Sequence, residues 1–235
     1  MLPGNEGFGL SAPRWAAIGR ALLSFPAAQD REAATWWFVQ ADTFCREQDI
    51  EQLKNTPADW CALEKPSSEP DVCLFFGVAS RGENAKTSIT MPNQSVIIDR
   101  PWVARLFLDL ARIKPKNTPI FSVSREQVAH RVRRACQLVG IECPVLHQLR
   151  HTGPANDILH GTKSLEQARR RGRWASLKSV ERYSKTAHLV ADLANLPSQV
   201  RSLGEAFLAN PPAFTAPLVP TVRFGPAMVG GFAQI

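Results

Sequence analysis

Apolar residues recur at helical spacing through AAIGRALLSF (16–25) and again through ATWWFVQADTFCREQDIEQL (34–53), so the chain from Trp15 to about Leu53 reads as helix, divided at Pro26. The pattern then changes. Residues 64–71 (EKPSSEPD) are polar and proline-rich, a connection. VCLFFGVA (72–79) is short, apolar and rich in strand formers, and QSVIID (94–99) alternates as a half-buried strand does. The stretch RGENAKTSITMPN (81–93) between them is turn-like and carries Lys86. Helical spacing returns in WVARLFLDLARI (102–113), with Asp99 as cap and Pro101 in the first turn. Ser124 and Gln127 form a capping box ahead of a helix that Gly140 ends. Ser164 and Gln167 form a second box, opening LEQARRRGRW (165–174), and a further helix carries SVERY (179–183). Residues 197–209 form a weaker amphipathic helix, and the tail from Asn210 is rich in Pro, Gly and Ala. The expected fold class is α+β, mainly helical, with a small antiparallel three-stranded sheet packed on the helices.

Composition narrows the class. At 235 residues, 44% hydrophobic and 21% charged, the chain has the makeup of a soluble globular domain able to bury a real core. No run approaches 18 apolar residues, so no membrane span is expected, and MLPGNEGFGLSAPRW has no secretory pattern. We expect a leader at 1–13, one domain at 14–190, and a helix with tail at 191–235. Cys45, Cys61, Cys73, Cys136 and Cys143 are odd in number and scattered, which argues against a disulfide framework or a zinc site.

The formal charge of +7 and pI of about 9.5 favour a polyanionic partner. Arg131, Arg133 and Arg134 cluster in one helix, and Arg169, Arg170, Arg171 and Arg173 cluster just before Trp174. These are the candidate DNA-binding arginines.

Between residues 147 and 183 the chemistry concentrates. His147, Arg150 and His151 form a His-x-x-Arg-His cluster, and spacing by three puts His147 and Arg150 on one helical face. Gly172-Arg173-Trp174 follows, and Tyr183, the only tyrosine, comes nine residues after the tryptophan. Cleaving a phosphodiester needs fixed cations around the non-bridging oxygens, an in-line nucleophile and an acid for the leaving oxygen. Arginine binds phosphate bidentately and stays charged. A free phenol has a pKa near 10 and ionises more readily beside positive charge.

This order and spacing, His-x-Leu-Arg-His-Thr and then Gly-Arg-Trp with a tyrosine nine residues on, resembles the tyrosine recombinase (phage integrase) family. The resemblance implies an earlier arginine in a helix, and TFCREQDIEQL (43–53) offers Arg46, with Asp49 at the acidic position and Phe44 where the family has glycine. It also implies a lysine on a β-hairpin: Lys86 fits, and Arg81 is the nearby alternative. By position, Arg46 and Arg150 would clamp the scissile phosphate and His147 would donate to it or shuttle a proton. Lys86 would be the general acid, Trp174 would complete the phosphate pocket, and Tyr183 would form the covalent 3′-phosphotyrosyl link. No metal or other cofactor is implied. The implied activity is site-specific cleavage and rejoining of double-stranded DNA, in recombination or integration, inside the cell and by a homo-oligomer assembled on the DNA. A binding remnant without turnover and a type IB topoisomerase-like enzyme are the alternatives. The family also carries a separate N-terminal helical domain, for which the roughly 14 residues ahead of the first helix are too few. Residues 197–209 are a candidate for docking on a neighbouring protomer or for packing on their own domain.

Overall fold

In the computed structural model the described residues are 8–65, 68–76, 94–181 and 186–211. Three predicted site residues, Lys86, its alternative Arg81, and Tyr183, lie outside them.

Alanine, leucine and tryptophan at helical spacing build α1 (Ala12–Ser24), whose first turn holds Pro13. After Pro26 comes α2 (Ala28–Thr43), nearly every residue of which is buried. A helix apolar or paired all round belongs in the middle of a molecule. Accordingly α1, α4 (Pro101–Ile113), α5 (Arg125–Val139) and α6 (Gln148–Leu159) all pack on it. An aromatic cluster seals this core: Phe38 stacks on Phe207 with centroids 5.6 Å apart, and Trp15 and Trp102 meet Phe38 edge-on. Burying each such ring removes enough apolar area from water to contribute about 2–3 kcal/mol.

The helix predicted to run on to Leu53 is broken. Phe44 takes a left-handed conformation (φ 58°) and ends α2, and the short α3 (Glu47–Glu51) starts after Arg46. Left-handed termination is normally the work of glycine. Here the Phe44 side chain is fully buried, so packing offsets the backbone cost.

The sheet has order β1-β2-β3, all antiparallel: β1 (Trp60–Lys65), β2 (Ser68–Phe76) and β3 (Gln94–Ile97). The expected three-stranded sheet is present, but β2 starts inside the stretch read as a connection, and the backbone pairs Lys65 with Ser68. Val72, Leu74, Phe76 and Val96 point to the core, and α4 packs on β2. Strand pairing, a long-range contact, overrode a polar local composition.

Both capping boxes form, at Ser124 for α5 and at Ser164 for α7 (Leu165–Arg171). Two short elements follow, α8 (Leu177–Glu181) and α9 (Thr186–Asn195). The N-terminal segment is tied to this end of the chain. Asp192 of α9 accepts hydrogen bonds from the Ser11 N–H and hydroxyl and pairs with Arg14 at 2.5 Å. The final helix, α10 (Ser198–Ala209), lies along α1 of the same chain. A Cβ on Gly204 would stand 1.9 Å from the Pro13 carbonyl oxygen, so only glycine allows that approach. Val200 and Phe207 are thereby buried within this chain.

Candidate active site

Arg150 projects from α6 into the protein and is only 3% exposed. Its guanidinium donates to two backbone carbonyls, Phe44 at 2.7 Å and Gly172 at 2.9 Å. These come from the end of α2 and the end of α7, more than 100 residues apart in sequence. The left-handed turn at Phe44 and the cap at Gly172 therefore present oxygens that fix one arginine fork. Two of its five N–H donors are used in those bonds. Close packing of α6 on α2 sets this depth. A Cβ on Gly153 would lie 2.1 Å from the Ala41 carbonyl oxygen and collide with the Phe44 ring. Burial, joined by the charges of Arg46 and Arg173, pushes the Arg150 pKa down to about 10. Two neighbouring guanidiniums thus disfavour the charge of Arg150.

Trp174 is buried and its ring lies 4.9 Å from the Arg150 guanidinium carbon, a cation–π contact. Phe44, Ala168 and Val180 close a small apolar cluster around it. Gly172 is required here because a Cβ would sit 1.9 Å from the indole. Arg173, 7% exposed, adopts a second non-glycine left-handed conformation (φ 56°) and pairs with Asp49, while stacking on Phe76 at 4.4 Å. Burial opposes its charge, but Cys45 and Asp49 outweigh burial and hold the Arg173 pKa above its ordinary value. Asp49 also accepts from the Arg46 backbone N–H at 3.1 Å, anchoring the first turn of α3.

Arg46 stands half-buried at the start of α3. Among the described residues neither Arg46 nor Arg150 has a carboxylate ion pair: Asp49 is engaged with Arg173. His147 sits at the N-terminal end of α6 with a side chain 54% exposed. Its Nδ1 faces both carboxylate oxygens of Glu47, at 3.4 and 3.5 Å. Burial works against the charge of Glu47. The His147 contact, the backbone N–H and the charges of His147 and Arg125 together overcome it, so the carboxyl lies below its usual range. The His151 ring meets His147 edge-on at 5.0 Å. Burial, with His147 and Arg150 adding, pushes the His151 pKa down to about 3, so that imidazole is neutral at ordinary pH.

The remaining arginines named from sequence divide. Arg169 and Arg170 both bond Glu166, and only Arg170 is largely exposed (75%). Arg171 reaches inward to the Asp42 and Ile97 carbonyls and pairs with Asp99 at 3.0 Å. The Arg131–Arg134 cluster lies elsewhere. Arg131 and Arg134 both pair with Asp30, at the opposite end of α2, roughly 20 Å along the helix at 1.5 Å per residue. Arg133 is exposed. The structure thus brings Arg46, His147, Arg150, Arg173 and Trp174 together and sets Arg131, Arg133 and Arg134 apart. Glu47 is the site residue that sequence reading missed: next to Arg46, it carries no spacing signal of its own.

No family model matches this sequence, and no curated protein matches it. Solved structures do match. The chain is similar to XerH site-specific recombinase bound to difH substrate in a pre-cleavage complex, with TM-score 0.58 and 15% identity over 83% of this chain and 56% of that one. It is similar to XerA recombinase, with TM-score 0.53 and 17% identity over 91% of this chain and 67% of that one. The fold is that of a tyrosine recombinase catalytic domain. The chain spans little more than half the length of the XerH chain.

Proposed function

We propose that this chain is the catalytic domain of an enzyme that cuts and rejoins DNA through a tyrosine. One observation carries the reading. The Arg46 and Arg150 guanidiniums lie together without a carboxylate of their own among the described residues, and Arg150 is held rigid by two carbonyls. Fixed positive charge of this kind suits the oxygens of a phosphodiester, where charge accumulates as the bond to phosphorus changes. Arg46 and Arg150 clamp the phosphate, Trp174 walls the Arg150 side, and His147 at the rim donates to the phosphate or moves a proton. Tyr183 is the nucleophile: its oxygen bonds to phosphorus as the bond to the 5′ oxygen breaks, and Lys86 protonates that leaving oxygen. Reversal rejoins the strand. Arg170, the largely exposed member of its run, and Arg133 are available to the DNA backbone away from this centre. DNA exchange of this type calls for a homo-oligomer on the duplex.

The test needs no known target. A pool of nicked duplexes randomised around the nick is incubated with the full chain, and adducts that survive denaturant are collected. The wild type should yield adducts, and Tyr183→Phe should yield none while still binding DNA. Survival of the adduct in Tyr183→Phe removes the nucleophile assignment. Binding without a wild-type adduct points to a remnant lacking turnover, and plasmid relaxation by monomer points to topoisomerase-like activity. Binding itself should weaken steeply between about 50 and 200 mM salt.

A further inference from the structure

We infer that Glu47 is a positioning residue for His147: its carboxylate takes the Nδ1–H and so leaves Nε2 as the nitrogen available for chemistry at the phosphate. This rests on the function proposed above, because it supplies a working direction for an imidazole at that site.

Both oxygens of Glu47 stand within 3.5 Å of His147 Nδ1, and no other carboxylate pairs with that ring among the described residues. Such a pair fixes the tautomer. An ionised carboxylate only accepts, so the nitrogen facing it must carry the proton. Glu47 is suited to staying ionised. Its side chain is 13% exposed, and the His147 contact and a backbone N–H hold its carboxyl below the usual range against burial. The groups facing this pair are few. His151 lies edge-on to the His147 ring and is neutral, and the Arg150 charge acts on His151. Arg125 adds positive charge near Glu47.

Orientation follows from backbone already fixed. Glu47 belongs to the turn that Asp49 anchors through the Arg46 N–H, so the carboxylate moves with Arg46. A shift of α3 that displaced Arg46 would therefore also release His147. The long contact is the kind that shortens once substrate is in place. With Nδ1–H committed, a neutral His147 presents the Nε2 lone pair and can take the phenol proton on attack, then return it on rejoining. A protonated His147 presents an Nε2–H to a phosphate oxygen. Glu47 serves either direction by holding the same edge of the ring outward.

The experiment reads the tautomer directly. Imidazole ¹⁵N shifts of His147 in the full chain should show the Nδ1–H form. Glu47→Ala should return His147 to the Nε2–H form that free side chains favour. Glu47→Gln, whose amide oxygen can still accept, should keep Nδ1–H. Duplexes captured from the randomised pool then give single-turnover cleavage. Glu47→Ala should slow it about 10–100-fold, the usual cost of losing a partner that orients a reactive imidazole, with DNA affinity unchanged. Glu47→Gln should recover most of that loss. An unchanged His147 tautomer in Glu47→Ala overturns the inference. So does equal cleavage loss in the Ala and Gln variants, which marks a purely structural or charge role. If the tautomer shifts as stated but the wild type forms no adduct, the positioning stands and the function proposed above falls.

Discussion

The two ends of α2 gather the same residue types and hold them differently. At its start, buried Asp30 takes both Arg131 and Arg134, and Gln29 takes a further N–H of Arg131. At its end, Arg46, Arg150 and Arg173 gather around Asp49, which pairs with only one of them. Both clusters hold more arginines than carboxylates, and they differ in what fixes the guanidiniums: a carboxylate and a side-chain amide at the first end, two backbone carbonyls for Arg150 at the second. A run of arginines in a sequence therefore says little until the carboxylates opposite are known. What marks a candidate anion site is a guanidinium held by carbonyls, because a carbonyl orients the fork without cancelling its charge.

The comparison can be broken most sharply by removing one arginine from each end. Arg150→Ala should lower adduct formation about 10²–10³-fold, the scale for losing a preorganised donor, whereas Arg134→Ala should leave it within about two-fold. Equal effects would place the phosphate elsewhere. Removing the carboxylates comes next. Asp49→Asn leaves buried Arg173 without its ion partner and should cost about 3–5 kcal/mol in denaturant unfolding. Asp30→Asn leaves Arg131 (13% exposed) its Gln29 partner and lets Arg134 (45% exposed) turn to water, so it should cost less, about 1–2 kcal/mol. If the two losses match, the difference between the ends is not one of burial. A smaller effect tests the wall of the site: Gly172→Ala drives a methyl into Trp174 and should cost about 1–3 kcal/mol, with a shifted tryptophan emission.

A separate effect is on pH. His151 has a folded pKa of about 3, below its unfolded value near 6.5. The unfolded chain therefore binds more protons between those values, and stability rises with pH across that window. The His151 contribution is complete above pH 6.5 and is lost progressively as pH falls toward 3. His151→Gln should flatten the slope between pH 6.5 and 4. An unaltered slope would assign the acid sensitivity to other groups.

Much of this was legible in the chain itself. The boxes at Ser124 and Ser164 open the helices they predict, since capping depends on residues three apart. His147 caps α6 and Arg150 stands in its first turn, as their spacing by three predicts. Their depths were not legible: Arg150 is buried while His147 stands at the rim. Nor was the break at Phe44, because a bulky residue in a left-handed turn contradicts local preference and is held there by packing. The Arg169–Arg173 run looked uniform, yet only Arg170 is largely exposed.

Sequence by itself determined most of the helices and the alternation of the strands. Each depends on neighbours within a turn or two, where periodicity and capping act. Tertiary structure alone decided which arginines pair with carboxylates, that α10 covers α1 of its own chain, and that Glu47 meets His147 across 100 residues. Those outcomes depend on ion pairing and burial between distant segments, and such contacts leave no periodic trace in the order of residues.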